Sequence, residues 1–219
     1  MLPFTMDEFF AVFAAYNDSV WPAQILAYVL GLVAVSLIFF RRLRGDLVIS
    51  AVLAAMWLWT GIAYHIVFFA PINGAAYLFG ALFLVQGLLF LVFGVFSERL
   101  RFDFDGSFAA WVGLAFVAYA AIAYPLIGQW TGHAYPRMPM FGITPCPVTI
   151  FTFGMMLLAG QHYSRWLLVI PLLWSLIGGS AAFMLGVIQD WPLLFSGLIA
   201  VALIEYRKRQ TRSAGSRAR

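Results

Sequence analysis

Charge is scarce in this chain. Asp, Glu, Lys and Arg make up 10% of its 219 residues, against about 25% in soluble domains. A further 63% are hydrophobic, more apolar surface than a water-soluble fold of this size can hide. There is one lysine, Lys208, and it lies in the C-terminal tail, so a retinal Schiff base inside a helical bundle is excluded. There is one cysteine, Cys146, which excludes an intrachain disulfide and any multi-cysteine zinc site. The apolar runs are continuous rather than alternating, which argues against a β-barrel. No basic residue precedes the first apolar run, and Asp7 and Glu8 stand there instead, so no cleaved signal peptide is expected.

What is present is a series of apolar segments, each near the roughly 20 residues that a helix needs to cross a bilayer. Seven are read, at about 20–40, 47–70, 74–96, 108–128, 145–161, 166–188 and 191–206. With the C-terminus inside, Arg41, Arg42, Arg44, Arg99, Arg101, Arg165, Arg207, Lys208, Arg209, Arg212, Arg217 and Arg219 fall on the inner side and only Arg137 outside, a strong positive-inside pattern. Trp21, Trp130 and Trp191 then mark outer ends, and Trp111 and Trp166 inner ends, as interfacial aromatics do. The expected fold is an all-α integral membrane protein with seven transmembrane helices, N-terminus out and C-terminus in. A short amphipathic interfacial helix (1–18) precedes the transmembrane domain (19–206), and a basic, disordered cytoplasmic tail (207–219) follows it and is held near anionic lipid. Apart from that tail the basic residues form no patch, so no nucleic acid is expected as a partner. The sequence leaves a homo-oligomer open and names no cofactor.

The N-terminal helix carries its own start signal. Thr5-Met6-Asp7-Glu8 has the form of a capping box, with Phe4 and Phe9 at the two positions of a hydrophobic staple. Ser107 or Asp105 caps the fourth span, and "RFDFDGS" lacks the later ligands of a calcium loop.

Ionisable groups inside a membrane are costly and usually functional. Acidic and basic residues are absent from the middle of all seven segments, which disfavours a buried carboxylate relay. His65, about five residues from the outer end of the second segment, lies roughly 8 Å deep. Gln86, near the middle of the third, reads as an interhelical hydrogen-bonding residue. His162, in "GQHYSR", reads as a solvated inner-turn residue.

The longest connection runs from Gln129 to Pro147 and holds His133, Arg137, Met138, Met140 and Cys146. Long Pro-rich loops between short connections are often lids or binding loops. Within it, Thr144 is the expected N-cap and Pro147 fits a first helical turn. The Cys146 thiol therefore sits at a helix N-terminus, where free amides and the dipole favour an anion, and Thr149 and Thr152 extend a polar stripe into the bundle.

Four readings follow. In the leading one, a small transporter or channel-like protein binds a small anion or polar solute at an outward-facing polar site made of His65, Gln86, His133, Arg137, Cys146, Thr149 and Thr152. In the second, Cys146, His65 and His133 bind or carry a soft metal of the copper or mercury type, with Met138 and Met140 as further ligands. In the third, Cys146 serves a membrane redox enzyme or sensor, with a Cys146/His133 nucleophile pair as one form. The last is a structural or assembly subunit with Cys146 merely packed. Enzymatic activity is the less favoured class.

The block "TPCPVTIFTFG" (Thr144 to Gly154), the apolar spans and the acidic amphipathic N-terminus resemble a family of uncharacterised bacterial multi-pass membrane proteins, grouped as a domain of unknown function. The resemblance covers nearly the whole chain. It implies an inner-membrane protein without an assigned activity, and it supplies no catalytic residues.

Overall fold

A computed structural model of the protein describes residues 3–40, 44–160 and 164–217, with side chains of the last helix through Gln210. His162, Arg41 and Arg42 lie outside the described residues. The described chain is helical: α1 (Met6–Ser19), α2 (Ala23–Phe39), α3 (Gly45–Trp59), α4 (Ala76–Phe90), α5 (Phe108–Ala118), α6 (Tyr124–Trp130), α7 (Pro145–Leu157), α8 (Trp166–Leu185) and α9 (Trp191–Arg217). α3 and α4 run on as π-helix over Thr60–Phe69 and Leu91–Phe96. A π-helical stretch, Tyr119–Ala123, joins α5 to α6. Pro125 stands just beyond it and has no N–H to offer the turn before, so the ladder there widens.

Among the described residues, five helices are long and apolar enough to cross a membrane: Gly45–Phe69, Ala76–Phe96, Phe108–Trp130, Trp166–Leu185 and Ile188–Gln210. The two other segments read as spans are shorter. α2 has 17 residues and meets α1 at 84°. Trp21 precedes Pro22 at that corner, and a residue before proline is pushed out of the helical region. α7 has 13 residues, about 20 Å of helix against a hydrocarbon core of about 30 Å. α9 continues as helix through Arg217, so the segment read as a disordered tail begins in regular structure.

The N-terminal signals are realised as the sequence indicates. The Thr5 hydroxyl accepts from the Glu8 amide at 3.2 Å, and the Thr5 amide donates to the Glu8 carboxylate at 2.7 Å. The Thr5 amide, and with it the Thr5 hydroxyl at 2.9 Å, donates to the Glu8 carboxylate and holds that group below its ordinary value. Phe4 stacks on Phe9 with ring centroids 5.7 Å apart. Ser107 caps α5, accepting from the Ala110 amide at 3.2 Å.

α7 is the centre of the bundle. Every one of its residues except Cys146 is buried, with α5, α8, α9 and α3 packed around it. Glycine makes this closeness possible. A Cβ on Gly154 would lie 2.7 Å from the Gly113 carbonyl oxygen, and one on Gly113 would lie 2.8 Å from that of Gly154. Gly61 of the α3 extension and Gly80 of α4 meet in the same manner, at 3.0 Å each way. Such contacts let van der Waals packing hold helices where lipid offers no hydrophobic drive between them.

The far end of α7 is clasped. Phe102 and Ala159 form a single antiparallel bridge. Asp103 and Gly160 donate across it to the Leu158 and Arg101 carbonyls at 2.9 and 2.7 Å. Arg207 donates to the Leu157 carbonyl at 2.9 Å and pairs with Asp105 at 2.7 Å. Burial works upward on the Asp105 carboxyl, but the Ser107 hydrogen bonds and the Arg207 charge outweigh it and hold that group below its ordinary value.

Candidate functional site

The connection before α7 is not a free lid. Met138, Phe141, Ile143 and Thr144 are buried, so the chain folds into the bundle and brings α7 to its start below the α1 end. α1 fastens it there. Asn17 donates to the Pro136 and Met138 carbonyls at 2.7 and 2.8 Å, and the Tyr16 hydroxyl donates to the Ile143 carbonyl at 2.8 Å. Arg137 pairs with Asp7 at 3.0 Å. His133 stacks on Phe10 with centroids 4.0 Å apart. Burial, and then the Arg137 charge, hold His133 below its ordinary value.

Burying a helix start in an apolar interior leaves amide donors without water. The residues at the start of α7 limit that cost. Its first three positions are Pro145, Cys146 and Pro147, so two of the three orphan donors do not exist. Thr144 occupies the cap position in extended conformation, but its hydroxyl donates to the Met140 carbonyl at 2.7 Å instead of capping α7. The anion nest expected at this helix start is therefore poor in donors, and Arg137 is already engaged by Asp7.

A cavity of about 130 Å³ opens beside Cys146. Its walls are Phe4, Phe9 and Phe13 of the α1 segment, Tyr64, Phe69 and Phe79 of α3 and α4, and Trp174, Ile177 and Ala181 of α8. Its polar groups are few: Asn73, Cys146, Asp190 and the Tyr64 and Trp174 heteroatoms. The cavity is thus mainly aromatic, where a polar pocket was expected. Cys146, the one residue of α7 not fully buried, lies on its wall.

Asp190 is the residue that sequence reading missed. It stands immediately before α9, between the last two apolar segments. It is 3% exposed, and its carboxylate accepts from the Tyr124 hydroxyl, with Cys146 beside it on the cavity wall. Among the described residues no cation pairs with it. The signal in the sequence was "IQDW", an acid wedged between apolar residues at a segment edge.

The other expected site residues are dispersed. His65 is buried, with both ring nitrogens lacking a partner among the described residues. Its ring packs edge-on with that of Trp174, centroids 5.0 Å apart, and does not line the cavity. Gln86 donates to the Leu167 carbonyl at 3.1 Å, which ties α4 to the start of α8. Thr149 and Thr152 donate back along α7 to Pro145 and Val148, each at 2.8 Å, and Thr152 also accepts from the Trp57 indole at 2.8 Å. The threonine stripe is satisfied within the fold. Met138 is buried against Gly128, and Met140 packs beside the α1 aromatics. Among the described residues no three His, Cys, Asp or Glu side chains converge to hold a metal ion, and no histidine nitrogen is hydrogen-bonded to the Cys146 thiol.

The model of one protein family, described as a family of unknown function (DUF6064), matches residues 6–215. No curated protein and no solved structure matches the chain.

Proposed function

Since the chain belongs to this DUF6064 family of unknown function, its activity has to be read from the site, and we propose that it is a small transporter or channel-like membrane protein that takes a solute into the cavity beneath α1. The observation that supports this is a space of about 130 Å³ with Cys146 and Asp190 on its wall. A purely structural subunit has no need of an open space beside a buried acid. All seven apolar segments cross the membrane, the crossing of short α7 being completed by the buried 138–144 segment that leads into it. The α1 end faces out and the basic end, with Arg99, Arg101, Arg165 and Arg207, faces a bacterial cytoplasm, where the tail touches anionic lipid.

The test is side-specific labelling of Cys146 in sealed cells. A small membrane-impermeant thiol reagent labels it from outside, and Ala181→Phe, which fills the cavity, slows that labelling. Labelling only after the inner face is opened, or an equal rate in the filled variant, overturns the reading. A C-terminal reporter found outside the cell overturns the orientation.

A further inference from the structure

We propose that the cavity selects a small organic cation, an ammonium with an apolar body and one oxygen acceptor; this rests on the reading of the cavity as a solute site. Three independent features point to that class. Asp190 sits on the cavity wall, 3% exposed, and among the described residues the neutral Tyr124 hydroxyl is its side-chain hydrogen-bond partner. A buried carboxylate of this kind lacks a counter-charge, and a cationic ligand supplies it.

The walls are the second feature. Phe4, Phe9, Phe13, Tyr64, Phe69 and Trp174 line the space, and aromatic rings attract an ammonium through their quadrupole. Several rings are locked against one another. Phe9 contacts Phe13 at 5.0 Å between centroids, Phe13 stacks on Tyr64 at 5.2 Å, and Phe4 meets Phe69 at 5.4 Å. The cage is therefore preformed. An anion would meet both this quadrupole and the Asp190 carboxyl, while the prolines of α7 leave it almost no amide donors.

The third feature is Trp174. It is 8% exposed and lines the cavity. Its buried indole N–H has no hydrogen-bond acceptor among the described residues. A buried donor left open beside a cavity calls for an oxygen from the occupant.

The probes are isosteres differing in charge: choline, its neutral carbon analogue 3,3-dimethylbutan-1-ol, and 3,3-dimethylbutyrate. Each is assayed on the full-length protein in detergent micelles, by calorimetric affinity and by protection of Cys146 from alkylation. Choline is expected to bind about tenfold or more tighter than the alcohol, and the carboxylate not to protect. Asp190→Asn removes the preference for charge while the alcohol still binds. Trp174→Phe weakens choline more than tetramethylammonium, which shares the ring's attraction but has no oxygen to accept from the indole. If alcohol and choline bind equally and Asp190→Asn changes neither, the cation proposal fails while the solute cavity stands. If none of the three protects Cys146 in a folded wild-type protein, both fail. Because the decisive comparison is made in the wild type, it survives an Asp190→Asn variant that does not fold.

Discussion

Replacing Gly154 by alanine tests how tightly α7 is held. The new Cβ would lie 2.7 Å from the Gly113 carbonyl oxygen, 2.9 Å from Val117 Cγ2 and 3.0 Å from the Val117 amide nitrogen. Two of these are backbone atoms of a packed helix, so α5 and α7 must part by about half an ångström, enough to forfeit a quarter or more of each van der Waals well across the contact. For roughly 40 atom pairs at about 0.15 kcal/mol each, losing a quarter to a half costs about 1.5–3 kcal/mol. Alanine's better helix propensity returns up to about 1 kcal/mol. The net expectation is a loss of about 1–2 kcal/mol, read as a lowered midpoint of unfolding when sodium dodecyl sulfate is titrated into mixed micelles. Gly74→Ala is the control, since nothing lies within 4 Å of its Cβ; it should be neutral or slightly stabilising. The Gly113→Ala/Gly154→Ala double variant should cost less than the two single losses together, because one separation relieves both clashes. A Gly154→Ala protein as stable as wild type, or a control that loses more, refutes the reasoning.

Thr5→Ala removes the hydroxyl cap of α1 and should cost roughly 1 kcal/mol, seen as faster proteolysis within the first helix. His65→Phe should lose nothing and gain up to about 1 kcal/mol, because a buried ring with two unpartnered nitrogens is exchanged for an apolar one; a loss beyond about 2 kcal/mol in the same unfolding titration contradicts this. His133 is held below its ordinary value of 6.5, so the unfolded chain takes up the proton first as pH falls through that value. Stability is therefore full above it and declines below it, and thermal unfolding at pH 7.5 and 5.5 should show a drop that His133→Phe abolishes.

The local signals were legible in the sequence because the groups involved are three to five residues apart. The Thr5–Glu8 box, the Phe4–Phe9 staple and the Ser107 cap each follow from spacing alone. Segment positions were legible because an apolar run ends where charge begins. Depth was not. Hydropathy sees that "TPCP" opens a helix, but not that the residues before it are buried, since Met138, Phe141 and Ile143 suit both a lid and a core. Asp190 was missed for the same reason: an acid at the edge of an apolar run reads as solvated until the chain on either side is seen to fold inward. His65, expected to share a pocket with Cys146, packs instead against Trp174, a cavity-lining ring from a segment far along the chain.

The clasp at the far end of α7 has a consequence for motion. Leu157–Gly160 is fixed by the Phe102–Ala159 bridge and by Arg207, while the opposite end begins with two prolines that contribute no backbone donors. That end is held instead through the segment leading into it, by Tyr16 on the Ile143 carbonyl and Asn17 on the Met138 carbonyl. With both ends fixed, α7 moves as part of the bundle, so a solute entering beside Cys146 is met by rearranged side chains and not by a displaced helix.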